Sequence, residues 1–356
     1  MRRARGMKLA ALAIAGSLAL AACASDEPEA GGGGGSSASG DLQIGLAYDT
    51  GGRGDRSFND SAYAGASAAA EALDGEVEEF SPNDDGSDRA EGLAQLAEAG
   101  YNPVIAVGFN YDEVIADVAA DYPDTTFAQV DGSVTLFDGS SKGENVTGLL
   151  FAEEQGSFLA GVAAATKSET GNIGFVGGVQ SPLIEKFEAG YVAGAQAVNP
   201  DITVQVQYIS PAGDFSGFSD PARGKIVAQG MYQAGADIVF HAAGGSGQGV
   251  FEAAAEAGAR AIGVDSDQYE TVGDPALQAV IMTSMLKRVD NAVEDFITSY
   301  SDGTVEGGTD IVNDLSTEGV GLSYSGGFID DIESTVDDYT QQIVDGQITV
   351  PTTPAN

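Results

Sequence analysis

Short apolar runs alternate along the chain with alanine-rich stretches whose apolar positions recur at helical spacing. Residues 43–47, 77–80, 104–107, 127–130 and 146–150 read as buried strands, and so, later, do 173–176, 204–208, 238–240, 261–264, 279–283 and 311–312. Between them 61–73, 87–99, 111–120, 154–165, 184–197, 221–234, 249–257 and 289–300 read as helices. Strand–helix alternation at this rhythm predicts parallel sheets covered by helices on both faces. The count of units suits an α/β fold of two doubly wound lobes with a ligand cleft between them. The first lobe is expected over 41–150 with about 266–305, and the second over 151–265 with about 306–350. Crossings between the lobes are expected near Leu150, Asp265 and Thr317. They would serve as the hinge on which the lobes close over a ligand and shift the population to the closed form.

The first forty residues break this pattern. A basic start with Arg2, Arg3, Arg5 and Lys8 leads into an apolar run from Leu9 to Leu20, then Leu20-Ala21-Ala22-Cys23. Such a segment describes an export signal, and its apolar run is too short to span a bilayer comfortably. A cysteine at the cut site resembles a bacterial lipobox. On that reading 1–23 is the signal and Cys23 becomes the lipidated first residue, which puts the chain on the extracytoplasmic face of the cell membrane. The simpler reading is a secretory signal that ends in a cysteine. Residues 24–40 include Gly31-Gly32-Gly33-Gly34-Gly35-Ser36-Ser37, a flexible tether.

Composition sharpens the picture in two ways. Cys23 is the only cysteine, so the body beyond it has no intramolecular disulfide and must be held by packing. Lys and Arg number 15 against 54 Asp and Glu, for a net charge of -39, which excludes a nucleic-acid partner because phosphate binding needs basic patches. The acidic surface fits a salty medium, where screening weakens self-repulsion, or an ordinary acidic secreted protein.

In doubly wound folds ligands bind at the carboxyl ends of strands, so the loops there carry the candidate chemistry. The first such loop runs from Tyr48 and Asp49 to Asp60. Ser57, Asn59 or Asp60 suits the cap of the next helix. Phe58 is a large aromatic in a polar loop, either a hydrophobic staple onto the helix or a stacking platform for a flat ligand. Asp131 and Asp265 also follow apolar strands, where a carboxylate accepts from ligand hydroxyls. Ala242 to Gly249 is glycine-rich but lacks the ending of a phosphate-binding Walker loop. His241, the only histidine, reads as packing or lining. Asn83 to Asp88 looks calcium-like, but Glu91 falls one place short of the bidentate position, and a helix-capping turn accounts for it better.

Gly45-Leu46-Ala47-Tyr48-Asp49 through Asp55-Arg56-Ser57-Phe58-Asn59 resembles the opening signature of the basic membrane protein family, the substrate-binding lipoproteins of ABC importers. The likeness continues in Glu153 to Gly161, Ile173 to Gly178, Phe187 to Tyr191, Asp220 to Lys225, Gly235 to Phe240 and Gly263 to Gln268, and so spans the body from Asp41 on. The resemblance implies a type I periplasmic-binding-protein-like fold, no catalysis, no cofactor and no metal. It implies a nucleoside ligand, a purine nucleoside first, and ABC permease subunits as partners. Carried over residue by residue, Phe58 resembles the first-lobe stacking ring and Phe218 the second, with Phe215 its close competitor. Asp49, Asn59 and Asp131 would meet the base edge or neighbouring polar atoms. Gly244, Asp265 and Lys287 would meet the ribose.

Two other functions remain open on the residues alone. Paired carboxylates suit a glycosidase or nucleoside hydrolase, but no Ser or Cys nucleophile arrangement accompanies them. A sugar receptor of the same fold also uses aromatic platforms and carboxylates, and a second opposed ring is what separates a flat base from a sugar. A nucleoside-sensing receptor without a transporter is a further reading.

Overall fold

The computed structural model describes residues 42–136 and 138–355. The signal 1–23, Cys23 and the tether 24–40 lie outside the described residues. Among the described residues no helix is long and apolar enough to cross a membrane.

The first sheet is built from β1 (Gln43–Ala47), β2 (Glu76–Phe80), β3 (Val104–Val107), β4 (Phe127–Val130), β5 (Val146–Phe151) and a late strand, β11 (Asp310–Asn313). The second contains β6 (Asn172–Val179), β7 (Thr203–Ser210), β8 (Ile238–Ala242), β9 (Arg260–Asp265), β10 (Ile281–Lys287) and β12 (Val320–Leu322). Their orders are β11-β5-β4-β3-β1-β2 and β12-β10-β9-β8-β6-β7. Central strands such as Val104-Ile105-Ala106-Val107 are buried on both faces, as a parallel sheet under helices requires. The edge strand β2 instead carries Glu76, Glu78 and Glu79 into solvent, charges that deter pairing with another chain.

Helices α1 (Phe58–Ala72), α2 (Arg89–Glu98) and α3 (Ile115–Asp121) cover the first sheet. The second is covered by α4 (Glu153–Lys167), α5 (Pro182–Val198), α6 (Pro221–Gln233), α7 (Gly247–Ala257) and the short α8 (Gln268–Thr271) and α9 (Pro275–Gln278). α10 (Val289–Ser301) returns to pack on α1, and α11 (Glu333–Val344) packs on α4. Glycines set the closest helix contacts: a Cβ added to Gly65 of α1 would come 2.0 Å from the Asp290 carbonyl of α10, and one on Gly194 of α5 would come 1.9 Å from the Phe158 carbonyl of α4. Ser181 accepts from the Ile184 N–H with Pro182 following, which starts α5 with a capped first turn.

Two of the expected boundaries are corrected. Residues 281–287, assigned with 266–305 to the first lobe, form β10 of the second sheet, and 310–313, assigned with 306–350 to the second lobe, form β11 of the first. Reading the strand at 279–283 cut it four residues short, because the ladder to β9 shifts register between Ile281 and Thr283 and the strand ends on a lysine. The chain therefore crosses between lobes at Phe151–Glu153, at Lys287–Val289 and between Asn313 and Val320, and Asp265 is not a crossing.

Candidate functional site

The β1–α1 loop is organised around Asp55. Its carboxylate accepts from the backbone N–H of Ser57 at 3.0 Å, Asn59 at 2.8 Å and Asp60 at 3.1 Å, and so caps α1. Burial pushes this carboxyl up to about 6 against those bonds. Ser57 stands at the helix start but makes no capping bond; its Oγ donates instead to Asp265 Oδ2. Asn59 Oδ1 accepts from the Asp49 N–H at 3.1 Å, and Nδ2 donates to the Gly52 carbonyl at 3.0 Å, leaving one amide hydrogen uncommitted. Asp49 Oδ1 accepts from the Thr50 N–H at 2.7 Å and from Asn110 Nδ2 at 2.8 Å, with Arg89 Nη2 behind it at 3.5 Å. Burial still raises the Asp49 carboxyl above its ordinary value.

The floor lies where the chain crosses between lobes. Lys287, at the end of β10, donates to Asp131 Oδ2 at 2.7 Å and stands 3.2 Å from Glu153 Oε1. Glu153 Oε2 accepts from Lys186 Nζ at 3.0 Å. The ammonium of Lys287 also lies 5.0 Å from the ring centres of Phe58 and Phe151 and 5.7 Å from that of Phe187. Burial opposes its charge, but Asp131, Glu153 and Asp265 together hold its pKa above the ordinary lysine value. Those carboxylates crowd one another: burial first, then Glu153 and Asp265, push Asp131 up to about 7 despite the ammonium beside it. Asp131 Oδ1 is buried with no hydrogen-bond partner. Asp131 and Asp265 both sit in left-handed backbone, at φ +62° and +63°, where a residue with a Cβ is strained.

A cavity of about 580 Å³ opens between the lobes. Asp49, Phe58, Asn59, Asp131, Phe218, Gly244, Asp265 and Lys287 all line it, so every site residue expected from the sequence falls on one surface. Phe58 comes from the first lobe, at the start of α1; Phe218 comes from the second, at the end of a short 3₁₀ turn after β7. A Cβ added to Gly178 would come 2.5 Å from Phe218, so the ring lies against bare backbone. Phe215 is not on the wall. It meets Phe109 of the first lobe edge-on, with ring centres 5.8 Å apart. The geometry thus favours Phe218 over Phe215 as the second ring.

Sequence reasoning missed Asp55, Phe109, Leu183, Ile184 and Phe187, which also line the cavity, and the buried Glu153 with its half-buried partner Lys186. Phe109 follows β3 and was open to the same strand-end logic; Phe187 and Lys186 lie on a helix and carried no such signal. His241 is fully buried, edge-on to Phe251 with ring centres 5.0 Å apart, and is packing. Asn83 to Asp88 forms the turn before α2, closed by the Asn83 N–H donating to Asp88 Oδ1 at 2.9 Å.

The family model for PnrA-like ABC transporter substrate-binding proteins, Bmp, matches residues 43–354. The chain belongs to the Bmp family. Its Bmp-family relatives include the ABC transporter nucleoside-binding protein BmpA of Lactococcus lactis, 33% identical over 98% of this chain and 99% of that protein. The CD4+ T-cell-stimulating antigen of Listeria monocytogenes is 36% identical over 96% of each chain. Among solved structures, an ABC transporter solute-binding protein from Aeropyrum pernix superposes with a TM-score of 0.74 at 28% identity, over 88% of this chain and 94% of that one. As a Bmp-family member the chain is a type I periplasmic-binding-protein fold that binds a substrate for an ABC transporter and is not an enzyme.

Proposed function

We propose that this chain is the lipid-anchored, extracytoplasmic receptor of an ABC importer that captures a nucleoside, a purine nucleoside first, and hands it to a permease. The observation that carries the reading is an interlobe cavity with an aromatic ring from each lobe and buried carboxylates at its floor. Base–aromatic stacking contributes about 1–3 kcal/mol per face, so two rings supply much of tight binding. Asp265 and Lys287 take the ribose hydroxyls, and Asp49 and Asp131 take donors on the base or beside it. Among the described residues that line the cavity Lys287 is the only cation, and it is already paired with Asp131, so the cavity favours a neutral nucleoside over a phosphorylated one. The export signal and Cys23 support the membrane anchor, and the nucleoside-binding name of the Lactococcus relative supports the ligand class.

The test is calorimetric titration of the full chain in detergent, stripped of carried ligand by unfolding and refolding. Guanosine, adenosine, inosine, uridine, 2′-deoxyguanosine and ribose are the ligands. Tight purine nucleoside binding, weaker for the deoxy form, supports the reading. Binding of ribose or another sugar with no nucleoside bound would replace it with a sugar receptor. Mass spectrometry of the chain from membranes, with and without Cys23→Ser, tests the anchor.

A further inference from the structure

Ser57 is fully buried and belongs to the first lobe, yet the side-chain bond it makes is to the second: its Oγ donates to Asp265 Oδ2. The contact is not isolated. Ser266 Oγ donates back to the Ser57 carbonyl at 3.2 Å, and Gln268 Nε2 donates to the Arg56 carbonyl at 3.0 Å. Gln268 is itself held in place, its Oε1 accepting from the Val264 N–H at 2.9 Å and its own N–H donating to Ser284 Oγ at 3.0 Å. One short piece of the first lobe, Arg56–Ser57, is thereby docked on the strand end that carries Asp265. Both sides of the contact are strained: Arg56 has φ +53° and Asp265 φ +63°. Non-glycine residues persist in that conformation only where their surroundings over-determine them.

We propose that Ser57 is the positioning residue for the Asp265 carboxylate, and that it can act only when the lobes are closed. This rests on the nucleoside-receptor reading for its ligand, but not for its geometry. Ser57 occupies one carboxylate oxygen and fixes the rotation of the group, which leaves the other oxygen as an acceptor for a ligand hydroxyl. Phe58 is the next residue, so the same docking step brings the first-lobe ring and the second-lobe carboxylate to their working separation. In an open form the hydroxyl and the carboxylate part, Asp265 turns freely, and the Arg56 and Ser57 carbonyls return to water. Recognition of the sugar hydroxyls is in this way a property of the closed state, and a ligand without them closes the lobes less well.

The experiment uses the full chain in detergent with Ser57→Ala and Ser57→Thr, the second keeping the hydroxyl. Hydrogen exchange is read over 52–60 and 264–270 without ligand and again with saturating guanosine, which holds the lobes closed. Ser57→Ala is expected to speed exchange about tenfold in both segments together, while Ser57→Thr stays close to wild type. With guanosine as the probe, Ser57→Ala is expected to lose about tenfold in affinity, mostly through faster dissociation, and to narrow the preference for guanosine over 2′-deoxyguanosine. A purely structural role would leave that preference unmoved. Unchanged exchange in both segments for Ser57→Ala, with and without guanosine, overturns the proposal. Failure of wild type to bind any nucleoside, with the exchange result intact, would sink the ligand assignment and leave the positioning role standing.

Discussion

The two lobes are built on one plan and equipped differently. Reading each sheet inward from its edge gives β2-β1-β3-β4-β5-β11 in the first and β7-β6-β8-β9-β10-β12 in the second. At the corresponding fourth place each sheet ends on an aspartate in left-handed backbone with its side chain buried, Asp131 after β4 and Asp265 on β9. Their partners differ: Asp131 meets the ammonium of Lys287, and Asp265 meets the neutral hydroxyl of Ser57. At the fifth place β10 ends on Lys287, while β5 ends on Phe151 and the helix after it opens on Glu153, and these two charges pair across the boundary. A repeated backbone supplies two acceptors aimed at one space, and the residues that break the repeat decide what surrounds each acceptor.

Removing the asymmetry at its centre has the largest expected effect. Lys287→Met leaves Asp131 and Glu153 without the ammonium between them. Breaking a buried pair by deleting one partner costs about 3–5 kcal/mol. A thermal melt is expected to show a drop of many degrees, and a melt like wild type would mean that these carboxyls are already neutral. Next come the rings. Phe58→Ala and Phe218→Ala each remove one ring of the proposed stacking pair, about 1–3 kcal/mol or roughly ten- to a hundredfold in Kd by titration. Comparable losses support rings of equal rank, whereas a silent Phe218→Ala with a damaging Phe215→Ala would reverse the assignment made from the cavity wall.

Two buried groups, Asp131 in the first lobe and His241 in the second, answer pH in opposite directions. Asp131 is held up to about 7 from an ordinary 3.8, chiefly by burial, so the folded chain binds more protons than the unfolded one in between. Its contribution to stability falls as pH rises through that window. His241 is held down to about 4 from 6.5, again by burial, so the folded chain binds fewer protons, and stability falls as pH drops from 6.5 towards 4. Relative to wild type, Asp131→Asn is expected to gain in melting temperature as pH rises from about 5 to about 7.5, and His241→Phe to gain as pH falls from about 6.5 to about 4.5. Parallel slopes in wild type and variant would remove either group from the account. The smallest effect concerns helix packing. Gly230 of α6 has open space where a Cβ would go, unlike Gly65 of α1, so Gly230→Ala is expected to stabilise by about 0.5–1 kcal/mol in denaturant titration.

Much of the frame was legible because parallel strands buried on both faces leave unbroken apolar runs, and because each loop after such a run is a candidate wall. That logic found Asp49, Asp131 and Asp265. It failed where the signal was not local. β12 has only three residues, and α11 buries Val336 and Ile343 in an otherwise polar stretch, too thin a stripe to stand out. Asp55 was passed over as a cap because it stands three residues before the helix, with its carboxylate reaching forward. Glu153 and Lys186 meet through the packing of α4 on α5, which no spacing in the chain announces.

The swap of the last strands has a consequence for how the molecule is made. β11 lies far downstream of the other strands of its sheet, after all of β6 to β10. A chain emerging from the ribosome amino end first can assemble β1 to β5, but it lacks the edge strand that covers β5 until residue 313 is synthesised. Nor does any single cut in the sequence yield two complete halves. The first lobe is thus kept from finishing early, and maturation becomes a joint, late event for both lobes.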